Sequence, residues 1–151
     1  MHALVAAALA LLLIGVPVAA ERQSALSFAV EFAAGTLAAA VPFYAVLYRT
    51  SETLQPFQAS RSAEPATEDI LLGLAVPPLM AGAAVAYVGS LFGVTGKLAG
   101  LAAILGAAVS EIFALQLWQL DVPEWLKVIA VPAITSLGAT IAFNHQARSS
   151  P

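Results

Sequence analysis

The chain has no cysteine, two histidines and little charge, with six Lys and Arg against nine Asp and Glu in 151 residues. Without cysteine there is no disulfide, thiol nucleophile, Cys-ligated zinc or iron–sulfur cluster, and no lipid-modified cysteine of a bacterial lipoprotein. Two histidines, His2 in the expected signal peptide and His145 in the tail, cannot without cysteine build an ordinary structural zinc site, and no acids cluster at metal-ligand spacing. Thr95-Gly96-Lys97 touches on a phosphate loop, but Leu98 follows where Ser or Thr is required and no strand precedes it. The six cations are scattered singly and the net charge is -3, which excludes a nucleic-acid surface and a polybasic lipid-binding cluster. The expectation is a non-enzymatic chain with no catalytic residues, no metal and no cofactor.

What the chain has is apolar length. Hydrophobic residues make up 60% and charged residues 10%, whereas soluble domains run near ~25% charged. The fold class expected is all-α: an integral membrane four-helix bundle with a Gly/Ala-rich central hairpin, preceded by a signal peptide. Residues 1–20 have the layout of that peptide, an apolar run ending in Val18-Ala19-Ala20 before the polar Glu21-Arg22-Gln23. Its n-region, Met1-His2-Ala3, lacks Lys and Arg, so an extra uncleaved span is the alternative. Residues 21–151 then form a single transmembrane domain with spans over about 25–48, 70–92, 98–120 and 123–143. Each is long enough for ~30 Å of hydrocarbon at ~1.5 Å per residue. Residues 50–66 read as a loop, and 144–151 as a short polar tail.

Tyr44, Tyr48 and Arg49 at the end of the first span, and Trp118, Trp125 and Lys127 around the last connection, suit the interface between lipid and water. Thr67 is expected to cap the second span, with Glu68 and Asp69 in its first turn. Asp121-Val122-Pro123-Glu124 resembles a capping box with proline in the first turn. Lys and Arg divide evenly between the two sides, so orientation follows the signal peptide alone. The mature N- and C-termini are expected outside a bacterial inner (cytoplasmic) membrane, with the 50–66 loop inside.

Helix association in lipid depends on small residues that let backbones approach. Gly82, Ala86, Gly89 and Gly93 share one face at about 100° per residue, and Gly100, Ala103, Ala107 and Ala114 share another. Gly89/Gly93 and Gly96/Gly100 have small-xxx-small spacing, and Gly35 and Gly106 join the predicted packing set. Gly93-Val94-Thr95-Gly96-Lys97 turns the chain. Pro77, Pro78 and Pro132 lie inside spans, where missing backbone donors predict bends or local unwinding. The partners implied are the lipid bilayer and another copy or another membrane protein, not nucleic acid.

Two acids are out of place in this setting. Glu31 falls with Gly35, Ala38, Pro42 and Ala45, away from Phe32, Leu37, Phe43, Tyr44 and Leu47, while Glu111 falls on the Gly100, Ala103, Ala107, Ala114 stripe. Both are expected to face the bundle, held neutral because burial disfavours charge. They serve either as proton-handling groups or as hydrogen-bonding groups, with Ser110, Thr36, Thr135, Ser136 and Thr140 in reach as partners. Their depths differ by an expected ~10 Å, too far for a close dyad.

Four features together resemble uncharacterised small Gly-rich four-span bacterial membrane proteins that carry a signal peptide. They are Glu31 with Gly35, the Gly82 to Gly106 hairpin, the Pro132 to Gly138-Ala139 span, and the Phe143-Asn144 pair. Phe143 stands where that pattern has tyrosine, and Ala34-Gly35 where it has two glycines. The resemblance implies a fold and an address, and no known activity.

Overall fold

A computed structural model describes residues 25–59 and 67–149. The expected signal peptide, the whole 60–66 connection, and the side chains of Tyr48, Arg49, Thr67, Glu68, Asp69 and Trp118 lie outside the described residues. The elements are α1 (Ala25–Ala59), α2 (Thr67–Leu91), α3 (Ala99–Leu115), a 3-10 turn (Gln116–Gln119) and α4 (Glu124–Ser149), with no strand among the described residues.

Consecutive helices run antiparallel. Gly73 lies against Val46 and Gly35 against Val85 between α1 and α2, Gly82 against Ile104 and Gly100 against Ala86 between α2 and α3, and Gly106 against Gly138 between α3 and α4. α1 and α3 each pack on both α2 and α4, and α2 meets α4 across the middle.

Three segments are long and apolar enough to cross a membrane: Ala25–Val46, Leu72–Leu91 and Trp125–Ala147. The third expected span is shorter than 98–120 implies. Its α-helix has 17 residues, about 25 Å of rise, and the 3-10 turn carries the chain roughly 8 Å further. The far ends of the first and last expected spans are corrected outward. α1 continues through 50–59, read from sequence as loop, and α4 continues to Ser149 through the expected polar tail. Polarity marks where a chain leaves an apolar layer, whereas hydrogen bonding decides where a helix stops. Pro123 also sits one position earlier than expected: its carbonyl accepts the Leu126 and Lys127 amides at 3.0 and 3.3 Å, ahead of the first helical residue.

The helices meet along ridges that repeat every four residues. Buried positions are Ser27, Glu31, Gly35, Ala39 and Phe43 on α1, Pro77, Ala81, Val85 and Gly89 on α2, and Ala99, Ala103, Ala107 and Glu111 on α3. On α4 two such ridges lie side by side, Val131, Thr135, Ala139, Phe143 and Pro132, Ser136, Thr140, Asn144. A four-residue step overshoots one turn by about 40°, so each buried face winds around its helix and neighbours cross. This winding corrects the straight face read for α1: Phe43 is buried and Ala45 exposed, the reverse of the expectation.

Outside the ridges the pattern is inverted relative to a soluble domain. Leu37, Val41, Tyr87, Leu91, Leu101, Leu105, Ile112 and Trp125 are all more than half exposed, while the interior is mainly alanine, glycine, serine and threonine, with Phe28, Phe43, Phe143, Val85 and Val131 among them. In water such a chain would leave its largest apolar side chains unburied; facing lipid, it places them in their preferred solvent.

The central hairpin closes differently from the small-residue reading. α2 ends at Leu91, and Gly93 adopts a left-handed φ of 77°. Its amide bonds the Ser90 carbonyl at 3.1 Å while the Val94 amide bonds the Gly89 carbonyl at 3.0 Å. Those two bonds form a Schellman cap, for which glycine's freedom at positive φ is the requirement. Gly93 and Gly96 are therefore turn residues and not packing positions: nothing lies within 4 Å of a Cβ built on Gly93, and the Gly96 carbonyl accepts the Ala99 amide at 3.1 Å. Pro77, Pro78 and Pro132 lie inside continuous α-helix without the unwinding that was expected as one outcome. Neighbouring ridges hold these helices in place on both sides of each proline.

Candidate functional site: two buried carboxyls

Glu31 and Glu111 are 0% and 1% exposed, and their surroundings differ completely. Glu31 projects from the first turns of α1 toward the end of α4, where its Oε2 accepts a 2.6 Å hydrogen bond from Asn144 Nδ2. The same Nδ2 donates to the Thr140 carbonyl at 2.9 Å, so both hydrogens of the Asn144 amide are engaged. On the other side α2 comes close enough that a Cβ on Gly89 would lie 3.2 Å from Glu31 Oε1 and 2.6 Å from Phe143 Cζ. Glycine at position 89 thus makes room for the acid and for the ring that covers it. Glu31 is a clasp between the start of α1 and the end of α4.

One turn further along, Ser136 Oγ donates across to the Phe32 carbonyl at 2.7 Å, and that carbonyl also receives Thr36 Oγ1 at 2.8 Å. Thr135 and Thr140 return their hydroxyls to the carbonyls four residues back, Val131 and Ser136, each at 2.9 Å. Four of the residues expected as partners for the acids, Thr36, Thr135, Ser136 and Thr140, therefore give their protons to backbone. Tyr44 Oη makes a long 3.5 Å contact with the Val128 carbonyl, the group that Pro132 deprives of its helical donor.

Glu111 has no such clasp. Neither carboxyl oxygen has a hydrogen-bond partner among the described residues, which overturns the expectation of a bond to a neighbouring helix. Its chain neighbour Ser110 is pressed against Gly138, and Gly138 in turn approaches Gly106 so closely that a Cβ on either would sit 2.5 Å from the other's carbonyl oxygen. Gly138 and Asn144 are six residues apart on α4, about 9 Å of helix. The two acids therefore belong to separate levels of the bundle and do not form a dyad.

Asn144 and Gly138 stand in the sequence reading only as motif residues of the resemblance, Asn144 at the start of the polar tail and Gly138 outside the predicted packing set, and neither was linked to the acids or to a helix contact. The signal for Asn144 was available: Pro132, Ser136, Thr140 and Asn144 form an unbroken every-four ridge. Among the described residues no group of three or more His, Cys, Asp or Glu is placed to hold a metal ion. Compared with family models, with curated proteins and with solved structures, the chain matches none.

Proposed function

We infer that the chain is a multi-pass protein of the bacterial inner membrane, with four spans and a non-enzymatic structural or assembly role. The observation that carries this reading is the inverted pattern: ridges of small and polar residues inside, and large apolar side chains outside on all four helices. Polar groups inside serve helix attachment, as the Asn144 to Glu31 and Ser136 to Phe32 bonds do. A bundle closed this way presents a lipid-compatible surface on which another copy, or another membrane protein, can pack. No cofactor enters the reading, and the resemblance to Gly-rich four-span proteins belongs to it. The termini following Ala20 face outward in this scheme. A cysteine placed at Ser60 should accordingly resist an impermeant thiol reagent in intact cells and react once the cells are opened; labelling in intact cells would refute the orientation.

A second reading, a small proton-linked transporter or channel, is favoured by one observation, the unpartnered carboxyl of Glu111. Proton flux into vesicles reconstituted with the purified chain separates the two. The structural role predicts flux no greater than in empty vesicles for both the parent and Glu111→Gln. Flux in the parent that vanishes in a folded Glu111→Gln would replace the structural role with transport.

A further inference from the structure

We propose that the Glu111 carboxyl is a binding site for one unit of positive charge, a proton or an alkali cation in its place, lodged where α3 packs between α2 and α4. The proposal stands whether the bundle serves assembly or transport. It begins with a deficit. Glu111 is 1% exposed, and no donor reaches either of its oxygens among the described residues. An ionised carboxylate only accepts, and one taken from water without donors or a counter-charge is among the costliest groups to bury. The titratable side chains described on the surrounding elements are Glu31 and Tyr44 on α1, Tyr87 on α2, Lys97 in the hairpin turn, Asp121 before α4, and Lys127 and His145 on α4. None of them hydrogen-bonds Glu111. The compensating charge must therefore be a small cation that the bundle admits.

The proline pair on α2 supplies the second half of the site. Pro77 and Pro78 have no N–H, so the carbonyls of Gly73 and Leu74 lose their helical donors. Gly82 faces Ile104 and Ala86 faces Gly100; counting on by equal steps along the two antiparallel helices puts Leu74 and Ala75 at the height of Glu111, which places the unpaired carbonyls at its level of the bundle as part of the proposal. A protonated carboxyl becomes a donor, and a carbonyl without a donor of its own is the acceptor it needs. An alkali cation would use the same hard oxygens, one carboxylate with unpaired backbone carbonyls. Glu31 does not compete for this role, because its oxygen already receives the Asn144 amide.

Infrared spectroscopy of the full chain in lipid vesicles tests the proposal. In the Glu31→Gln chain, whose amide oxygen can still accept from Asn144, Glu111 is the remaining buried acid among the described residues. At neutral pH in choline chloride this variant should show one protonated-carboxyl stretch that shifts in heavy water and is absent from Glu31→Gln/Glu111→Gln. If sodium chloride leaves the band in place, the occupant is a proton; if sodium removes it while choline does not, the occupant is the alkali cation. Absence of the band in choline chloride would overturn the proposal. Should Glu31→Gln fail to fold, the difference spectrum between parent and Glu111→Gln carries the same reading, and a spectrum with no protonated-carboxyl loss overturns it equally.

Discussion

Leucine at Gly138 is expected to abolish the folded protein, and alanine there to cost about 2–3 kcal/mol, the upper part of the range for overpacking. A Cβ at this position would lie 2.5 Å from both the Gly106 carbonyl oxygen and Ser110 Cβ, besides meeting Ser110 Oγ. The obstruction includes backbone, which has no rotamer to escape into, so α3 and α4 must separate. Gly106 is the reciprocal position, where a Cβ would meet Ala142 Cβ and the Gly138 oxygen, each at 2.5 Å. Gly100→Ala is the control. Its new methyl would find only Ala86 Cβ at 3.6 Å, an ordinary contact, and the substitution also relieves glycine's helical penalty of roughly 1 kcal/mol. Stability in detergent against added denaturing surfactant should rank Gly100→Ala at or above the parent, Gly138→Ala well below, and Gly138→Leu without a folded baseline. A Gly138→Leu chain that unfolds at the parent's midpoint would remove the close α3–α4 approach from consideration.

Asn144→Leu should give the second large loss, about 1–3 kcal/mol, because it withdraws the donor from a fully buried carboxyl oxygen. Glu31→Gln keeps an acceptor oxygen in the same place and should change little. The double replacement Glu31→Leu with Asn144→Leu removes both halves of the clasp, so its cost should fall short of the sum of the two singles by about 0.5–3 kcal/mol, the range seen for residues in contact. Strict additivity in that cycle would mean that the 2.6 Å contact contributes no coupling between α1 and α4. The comparison also distinguishes the acids: removing Glu31 breaks a helix-to-helix bond, whereas Glu111→Gln breaks none that the described residues supply.

Much of this arrangement was legible one residue at a time. Low charge and long apolar runs were enough to predict an all-helical chain built for lipid, and the small residues of 82–107 were enough to predict close helix contacts. The inward direction of both acids followed from the residues that share their helical faces. Composition decides these things because it sets the solvent a segment prefers and the distance at which a backbone can be approached, and both are properties of a segment by itself.

Which small residues touch, and which polar group meets which, was decided only by tertiary structure. Gly93 and Gly100 look equivalent in sequence to Gly82 and Gly138. Gly93 ends a helix, Gly100 makes an ordinary contact, and the other two lie against a neighbouring helix at distances that leave no room for a Cβ. Face assignment drifted because the helices cross, so that the buried stripe steps by four and carries Phe43 inward and Ala45 out. The partner of Glu31 lies 113 residues away at the far end of α4, while Glu111, identical in kind, is left without one. Such pairings depend on the relative height of two helices, and no single helix encodes its height against another.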